Sequence, residues 1–314
     1  MKVLITGGAG YIGSIAVTKL INEGFEVNIL DDLSTGHKEN IHPKANFIEG
    51  SILNSFAIDK ALDGCDVIIH LAAKSIVSES VQKPELYEEV NVEGTRILLD
   101  RATRFKVSKF IFASTASVYS PKPNEIVNEN SKVKPENPYG KTKVDAEKLI
   151  SSSKLLESST AVVFRFFNVA GAYKHNNFVE LHEKHIPETH LIPNLVAKHA
   201  SNDFYIYGND YETIDGTCVR DYLHVLDIVE AFMSTINTTF SDSYNLLNLG
   251  TGKGYSILEV IGVLNKLLHT NIKIQYGERR PGDTSRLVTS YEKAKQIINW
   301  SPIRNLENIL KDYL

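Results

Sequence analysis

Short apolar runs alternate with longer mixed stretches along the first half of the chain, and the period changes each time. "KVLIT" (2–6), "EVNILD" (26–31), "NFIEG" (46–50), "DVIIHLA" (66–72) and "KFIFAST" (109–115) are rich in valine, isoleucine and phenylalanine. Short runs of this kind, bounded by glycine or polar residues, read as strands. Between them Tyr11 to Asn22, a stretch ending before Gly64, and Glu85 to Phe105 carry helical patterns. The alternation predicts successive βαβ units and therefore an α/β fold, doubly wound, with a parallel sheet buried on both faces. "AVVFRFFNVAG" (161–171) continues the strand pattern after a further helix around residue 139.

From Ala172 the texture shifts to longer polar loops holding His175, His182, His185 and His190. One boundary near residue 175 follows, with 1–175 as the sheet domain and 176–314 as a smaller mixed α/β part that returns single elements to the sheet. Hydrophobic residues make up 42% of the 314 and charged residues 23%, the balance of an ordinary soluble globular protein. A net charge of -4, spread along the chain, leaves no basic stripe for nucleic acid or an anionic membrane, so a small ligand is the expected partner. Cys65 and Cys218 lie too far apart in sequence for a metal-ligand motif and suit a reducing cytoplasm. The apolar run in "MKVLITGGAGYIG" is too short for a signal peptide or a membrane span, so no targeting segment is expected. Spacings of 7, 3 and 5 between the four histidines match no recognised zinc pattern, so no metal is expected either.

"ITGGAGYIG" sets Gly7, Gly10 and Gly13 directly after the first strand and at the opening of a helix. A turn without side chains lets a pyrophosphate approach, and the helix N-terminus offers it free N–H groups. Asp31 ends the second strand, where a carboxylate accepts hydrogen bonds from a ribose diol and repels a 2′-phosphate. NAD is thus expected over NADP, with Asp32 as an alternative carrier of the ribose contact. In "YGKTK", Tyr139 and Lys143 stand one helical turn apart on one face. In an arbitrary helix that spacing is surface packing. In an active site a nearby cation favours tyrosinate.

These stretches, together with "HLAAKSIVSES", "NVEGT", "STASVY", "RFFNVAGA", "PETHLIP", "DGTCVRDYLHVLD", "NLGTGKGYS" and "RRPGD", occur in the order seen in UDP-glucose 4-epimerases, which are extended short-chain dehydrogenases/reductases. The chain resembles that family over nearly its whole length. The resemblance implies that Tyr139 is the catalytic base, that Lys143 holds the nicotinamide ribose and lowers the tyrosine pKa, and that Thr115 hydrogen-bonds the reacting sugar oxygen. Ser114 and Ser117 are neighbouring alternatives to Thr115. It further implies cofactor contacts from Gly7, Gly10, Tyr11, Ile12 and Gly13, from Asp31 and Asp32, from Ser51 and Ile52, from Leu71, Ala72 and Ala73, and from Asn91, Ser114 and Phe167. For the substrate it implies Asn168 and His190 with Leu191 near the diphosphate, Arg220 and Arg280 as diphosphate clamps, Tyr207 beside uracil and Asp283 on the uridine ribose. A planar guanidinium pairs two phosphate oxygens at once, which suits the arginines.

Several positions depart from the family pattern. Ser51 stands where an aspartate usually accepts from the adenine amine, Ser120 replaces a glycine, and Leu287 aligns with the pocket wall that limits the sugar's C2 substituent. Sugar-nucleotide 4,6-dehydratases share the fold and tyrosine but need an acid and a base beside the threonine. Ala116 and Ser117 occupy that place here. The reaction implied is C4 inversion of a UDP-hexose, foremost UDP-glucose and UDP-galactose: Tyr139 takes the C4 hydroxyl proton, NAD takes the hydride, and the 4-keto sugar turns over and takes it back. C4 epimerisation of another UDP-sugar (UDP-N-acetylglucosamine, a UDP-pentose or a UDP-uronate) and an NAD-responsive regulatory protein are the alternatives. The helices 85–105 and 137–153 resemble a pair that dimerises in relatives, implying a homodimer.

Overall fold

A computed structural model describes residues 1–122, 124–174, 181–183, 190–199, 204–280 and 283–314. His175, His185 and the first three residues of "PETHLIP" lie outside the described residues, as do the proline and glycine of "RRPGD". Fourteen strands run in chain order among the described residues: β1 (Lys2–Thr6), β2 (Glu26–Asp31), β3 (Asn46–Glu49), β4 (Val67–His70), β5 (Lys109–Thr115), β6 (Ile126–Val127), β7 (Thr160–Phe166), β8 (Asn168–Ala170), β9 (Phe204–Tyr207), β10 (Val219–His224), β11 (Tyr244–Leu249), β12 (Gly254–Ser256), β13 (Ile274–Gly277) and β14 (Arg286–Thr289). The α-helices are α1 (Tyr11–Asn22), α2 (Ser55–Leu62), α3 (Val77–Gln82), α4 (Pro84–Tyr87), α5 (Gly94–Arg104), α6 (Pro138–Ser151), α7 (Leu191–Lys198), α8 (Val225–Asn237), α9 (Ile257–Leu268), α10 (Glu292–Ile298) and α11 (Leu306–Lys311).

Seven strands form one parallel sheet in the order β11-β7-β5-β4-β1-β2-β3. Side chains alternate across it, so Val3 and Ile5 enter one apolar layer with Ile15, Phe164 and Phe232, while Leu4 enters the other with Leu30, Ile68 and Phe110. Both layers are buried, which explains strands that read as continuous apolar runs. The order reverses between β1 and β4, and ligands of such sheets bind beyond the carboxyl ends of the strands at that switch point. Two elements from the second half belong to this layer structure. β11 completes one edge, and α8 packs on α1, placing Phe232 and Leu247 in the same core as Ile15.

The predicted 85–105 helix is interrupted. Glu88–Glu93 forms a π-helical turn between α4 and α5, with Asn91 buried in it. The strand read over 161–171 breaks at Phe167 into β7 and β8, and β8 pairs with β10 rather than with the large sheet. β10 also joins β12 and β14, and β14 joins the short β6. β9 and β13 form a separate parallel pair. Among the described residues, no helix is long and apolar enough to cross a membrane.

Candidate active site

The turn after β1 has no room for a side chain at Gly7 or Gly13. A Cβ at Gly7 would lie 2.7 Å from the Ala72 backbone nitrogen, and one at Gly13 would lie 2.1 Å from the Gly7 carbonyl oxygen. Gly10 caps α1 without a side chain, and no acid occupies the first helical turn, so the positive end of the helix opens toward the carboxyl edge of the sheet. A pyrophosphate fits that cradle. Tyr11, the first residue of α1, donates from its hydroxyl to the Gly171 carbonyl at 2.6 Å. Gly171 and Ala172 are in turn tied to Tyr313 and Asp312, so the loop after β8 is braced above the glycine turn.

Asp31 sits at the end of β2, buried, and accepts from the backbone N–H groups of Ala9 and Leu33, each at 2.9 Å. Burial raises its pKa, opposed by those two hydrogen bonds. Asp32 is exposed, and its carboxylate accepts from Ser34 N–H. Ser51 accepts from Leu53 N–H in a local turn, beside the buried Ile52. Leu71, Ala72 and Ala73 follow β4, with Ala72 N–H donating to Thr6. Asn91 clamps the next residue along, accepting from Lys74 N–H at 2.8 Å and donating to Lys74 C=O at 3.0 Å and to Thr142 Oγ1. This side chain can reach inward because the π-helical turn rotates it there, a placement usual at functional sites.

Thr115 ends β5 and accepts from Ser117 N–H at 3.1 Å, capping a single turn of 3₁₀ helix. On the facing helix, Asn137 caps α6 by accepting from Gly140 N–H, and Pro138 starts it. Tyr139 therefore stands in the first turn, partly buried, with its ring edge-on to Tyr87 at 6.4 Å. Burial pushes the Tyr139 phenol up to about 12, and a side-chain hydrogen bond with Thr115 pulls the other way. Lys143 is 4% exposed; its ammonium donates to the Ala113 carbonyl at 2.8 Å and lies 4.7 Å from the centre of the Phe112 ring. Burial drives its pKa down to about 7, and the charge of Glu147 acts in the opposite sense. Neighbouring His70 is held neutral, pushed down to about 3 by burial first and Lys143 second, and bridges Thr6 and Thr95.

Ser114 does not point with Thr115. Its hydroxyl donates to the Glu147 carboxylate inside the protein. Phe167 is buried in the break between β7 and β8, in an apolar cluster with Ala116, Tyr119 and, at its margin, Leu287. Leu287 is in register with Arg220 across β10 and β14, so the aligned wall residue and the first arginine emerge from neighbouring strands. Arg220 donates to the Thr284 carbonyl at 2.8 Å and meets Asp283 at 3.3 Å. Arg280 lies over the Tyr207 ring, 4.2 Å from its centre. Asn168 opens β8 with its side chain exposed. His190 stands at the N-terminal boundary of α7 without a side-chain cap bond, 3.3 Å from Glu183, and Leu191 begins that helix.

One group of buried polar residues was missed from sequence. Glu147 and Arg165 form a two-pronged ion pair at 2.9 and 2.6 Å, and Arg165 also donates to Tyr119, which donates to Asn248. An arginine inside the apolar run "AVVFRFF" was the available signal, because a strand buried on both faces holds a guanidinium only where an acid meets it.

The family model for "NAD dependent epimerase/dehydratase family" matches residues 3–250. A protein of Lactobacillus helveticus described as UDP-glucose 4-epimerase is 40% identical over 307 residues, covering 96% of this chain and 92% of its own. A crystal structure of UDP-glucose 4-epimerase from Brucella ovis in complex with NAD superposes with a TM-score of 0.91 at 33% identity, covering 99% of this chain and 96% of that one. A Stenotrophomonas maltophila UDP-glucose-4-epimerase with bound NAD and formylated UDP-arabinopyranose gives 0.93 at 28% identity, covering 100% and 96%.

Proposed function

Because the chain belongs to the NAD dependent epimerase/dehydratase family, we infer that it is an NAD-dependent epimerase that inverts C4 of a UDP-hexose, interconverting UDP-glucose and UDP-galactose. The observation that carries this reading is the set of Tyr139, Thr115 and Lys143 at the carboxyl edge of the sheet, with the small neutral Ala116 and Ser117 beside them. NAD, held by the glycine turn and Asp31, would supply the hydride acceptor for C4 and a positive charge to the site.

Tyr139 accepts the C4 hydroxyl proton, and Thr115 fixes the oxygen from which it leaves. Left alone, the phenol at about 12 holds its proton at neutral pH, so added positive charge has to bring it into range. Lys143, one turn along the same helix with its ammonium on the Ala113 carbonyl, holds the nicotinamide ribose and supplies part of that charge. Arg220 and Arg280 grip the diphosphate while the sugar, gripped less firmly, turns its other face. The first 175 residues hold NAD and the remainder holds the UDP-sugar. Asp31 favours NAD over NADP at the ribose. The working form is a cytoplasmic homodimer joined through the helices of 85–105 and 137–153.

Deuterium at C4 of UDP-galactose must then reappear at C4 of UDP-glucose, with none lost to water, and Tyr139→Phe must abolish turnover while keeping bound NAD. Label at C6 or a 4-keto-6-deoxy product would transfer the chain to the dehydratases of the same family. Running the assay with each UDP-sugar sorts C2 substituents and pentoses from hexoses.

A further inference from the structure

Lys143 and Glu147 are four residues apart on α6, the spacing at which an ammonium and a carboxylate on a helix ordinarily meet. They are not bonded to one another here. The ammonium donates to Ala113 C=O on β5, two residues before Thr115. Both oxygens of Glu147 are taken: Oε1 accepts from Arg165 Nε and from Ser114, and Oε2 accepts from the other arm of Arg165. Arg165 is fixed in turn by Tyr119, whose ring it also overlies. Lys143, Glu147, Arg165, Ser114 and Tyr119 are all buried. Among the described residues, Tyr139 on its own helix and His70 on β4 are the other ionisable groups of the site, both neutral at pH 7. Among the described residues, Glu147 is therefore the acid that could draw the lysine away.

We propose that Arg165 is a positioning residue: by occupying both oxygens of Glu147 it keeps the Lys143 ammonium on the Ala113 carbonyl, instead of letting it close an ion pair one turn along α6. The fork of a guanidinium suits this task, since it covers two carboxylate oxygens at once where an ammonium covers one. Removing Arg165 alone leaves a buried carboxylate without its partner, and the lysine one turn away is the cation that satisfies it. Removing Glu147 as well takes away the attraction. Relief of a buried unpaired carboxylate would give the same sign of coupling, so the place of Lys143 Nζ in the single variant is what separates the two roles.

This rests on Lys143 serving the chemistry assigned above, so Tyr139→Phe is run alongside. Arg165→Met should lower kcat on the order of a hundredfold with little change in KM, a loss in the range for impaired proton transfer at Tyr139. The double variant Arg165→Met/Glu147→Gln should recover at least about tenfold of it, a coupling expected between residues in contact. A crystal structure of Arg165→Met should show Lys143 Nζ moved from Ala113 to Glu147. Where Arg165→Met fails to fold, Arg165→Lys, which leaves one oxygen open, should show the same shift of Nζ and a smaller loss of kcat. A double variant no more active than the single, or Nζ still on Ala113 in either single variant, overturns the proposal. An active Tyr139→Phe instead overturns the assignment beneath it.

Discussion

Lys143→Met should make the cofactor-free protein more stable at neutral pH while removing its activity. The fall of this lysine from its ordinary 10.5 to about 7 corresponds to a penalty on the charged form of about 5 kcal/mol. Between those two values the unfolded chain carries the proton and the folded one does not, so stability contributed by this site rises with pH across that window and is lost below it. Methionine fills similar space without titrating. At pH 7 it escapes about 4 kcal/mol of the penalty by the same linkage, and it forfeits about 1 kcal/mol by leaving the Ala113 carbonyl unbonded. The net gain is about 3 kcal/mol at pH 7, and it should vanish as pH approaches the ordinary lysine value. Urea unfolding of both proteins, stripped of nucleotide, at several pH values between 7 and 10 measures the gap directly. A methionine variant less stable at pH 7, or a gap that does not close with rising pH, would show that burial does not strain this lysine.

Two further substitutions probe the ends of the site. Gly13→Ala places a methyl group 2.1 Å from the Gly7 carbonyl oxygen, so the phosphate turn must open; nucleotide released on acid denaturation of the purified variant should be nearly absent, and full retention refutes the tight turn. Arg220→Ala removes a charge-assisted contact worth about 1.5–3 kcal/mol, which should raise KM for the UDP-sugar about ten- to a hundredfold and let 4-keto sugar escape, leaving protein with the absorbance and fluorescence of reduced cofactor. An unchanged KM would free Arg220 from the diphosphate.

The large sheet was readable because strands buried on both faces leave an unbroken apolar signature, as "KVLIT" and "KFIFAST" do, and because the glycine turn and Asp31 fall at fixed distances from the first two. Helical spacing placed Tyr139 and Lys143 on one face of a helix, and the resemblance to the epimerases made them catalytic candidates. Less local features were not readable. The π-helical turn at Glu88–Glu93 depends on what Asn91 meets, namely Lys74 and Thr142, far away in sequence. The turning outward of β8 depends on β10, some fifty residues later, which offers Asn168 to Ala170 a parallel partner. Strand alternation alone sets Ser114 and Thr115 on opposite faces, but that Ser114 meets Glu147 is visible only in the packed structure.

The seat of β11 at the sheet's edge also has a bearing on how the chain is born. β7 ends at Phe166, and the strand that covers its open side is finished only at Leu249. A ribosome needs about 4–16 s to add those roughly 80 residues at about 5–20 residues per second. Throughout that interval a strand reading "TAVVFRF" presents unpaired amides and carbonyls along one side, the kind of edge that recruits other chains. Phe164 meanwhile lacks Phe232, which arrives with α8. Completion of the nascent sheet thus waits on the synthesis of Leu249, and slower synthesis between these two strands lengthens the time for which that edge is open to other chains.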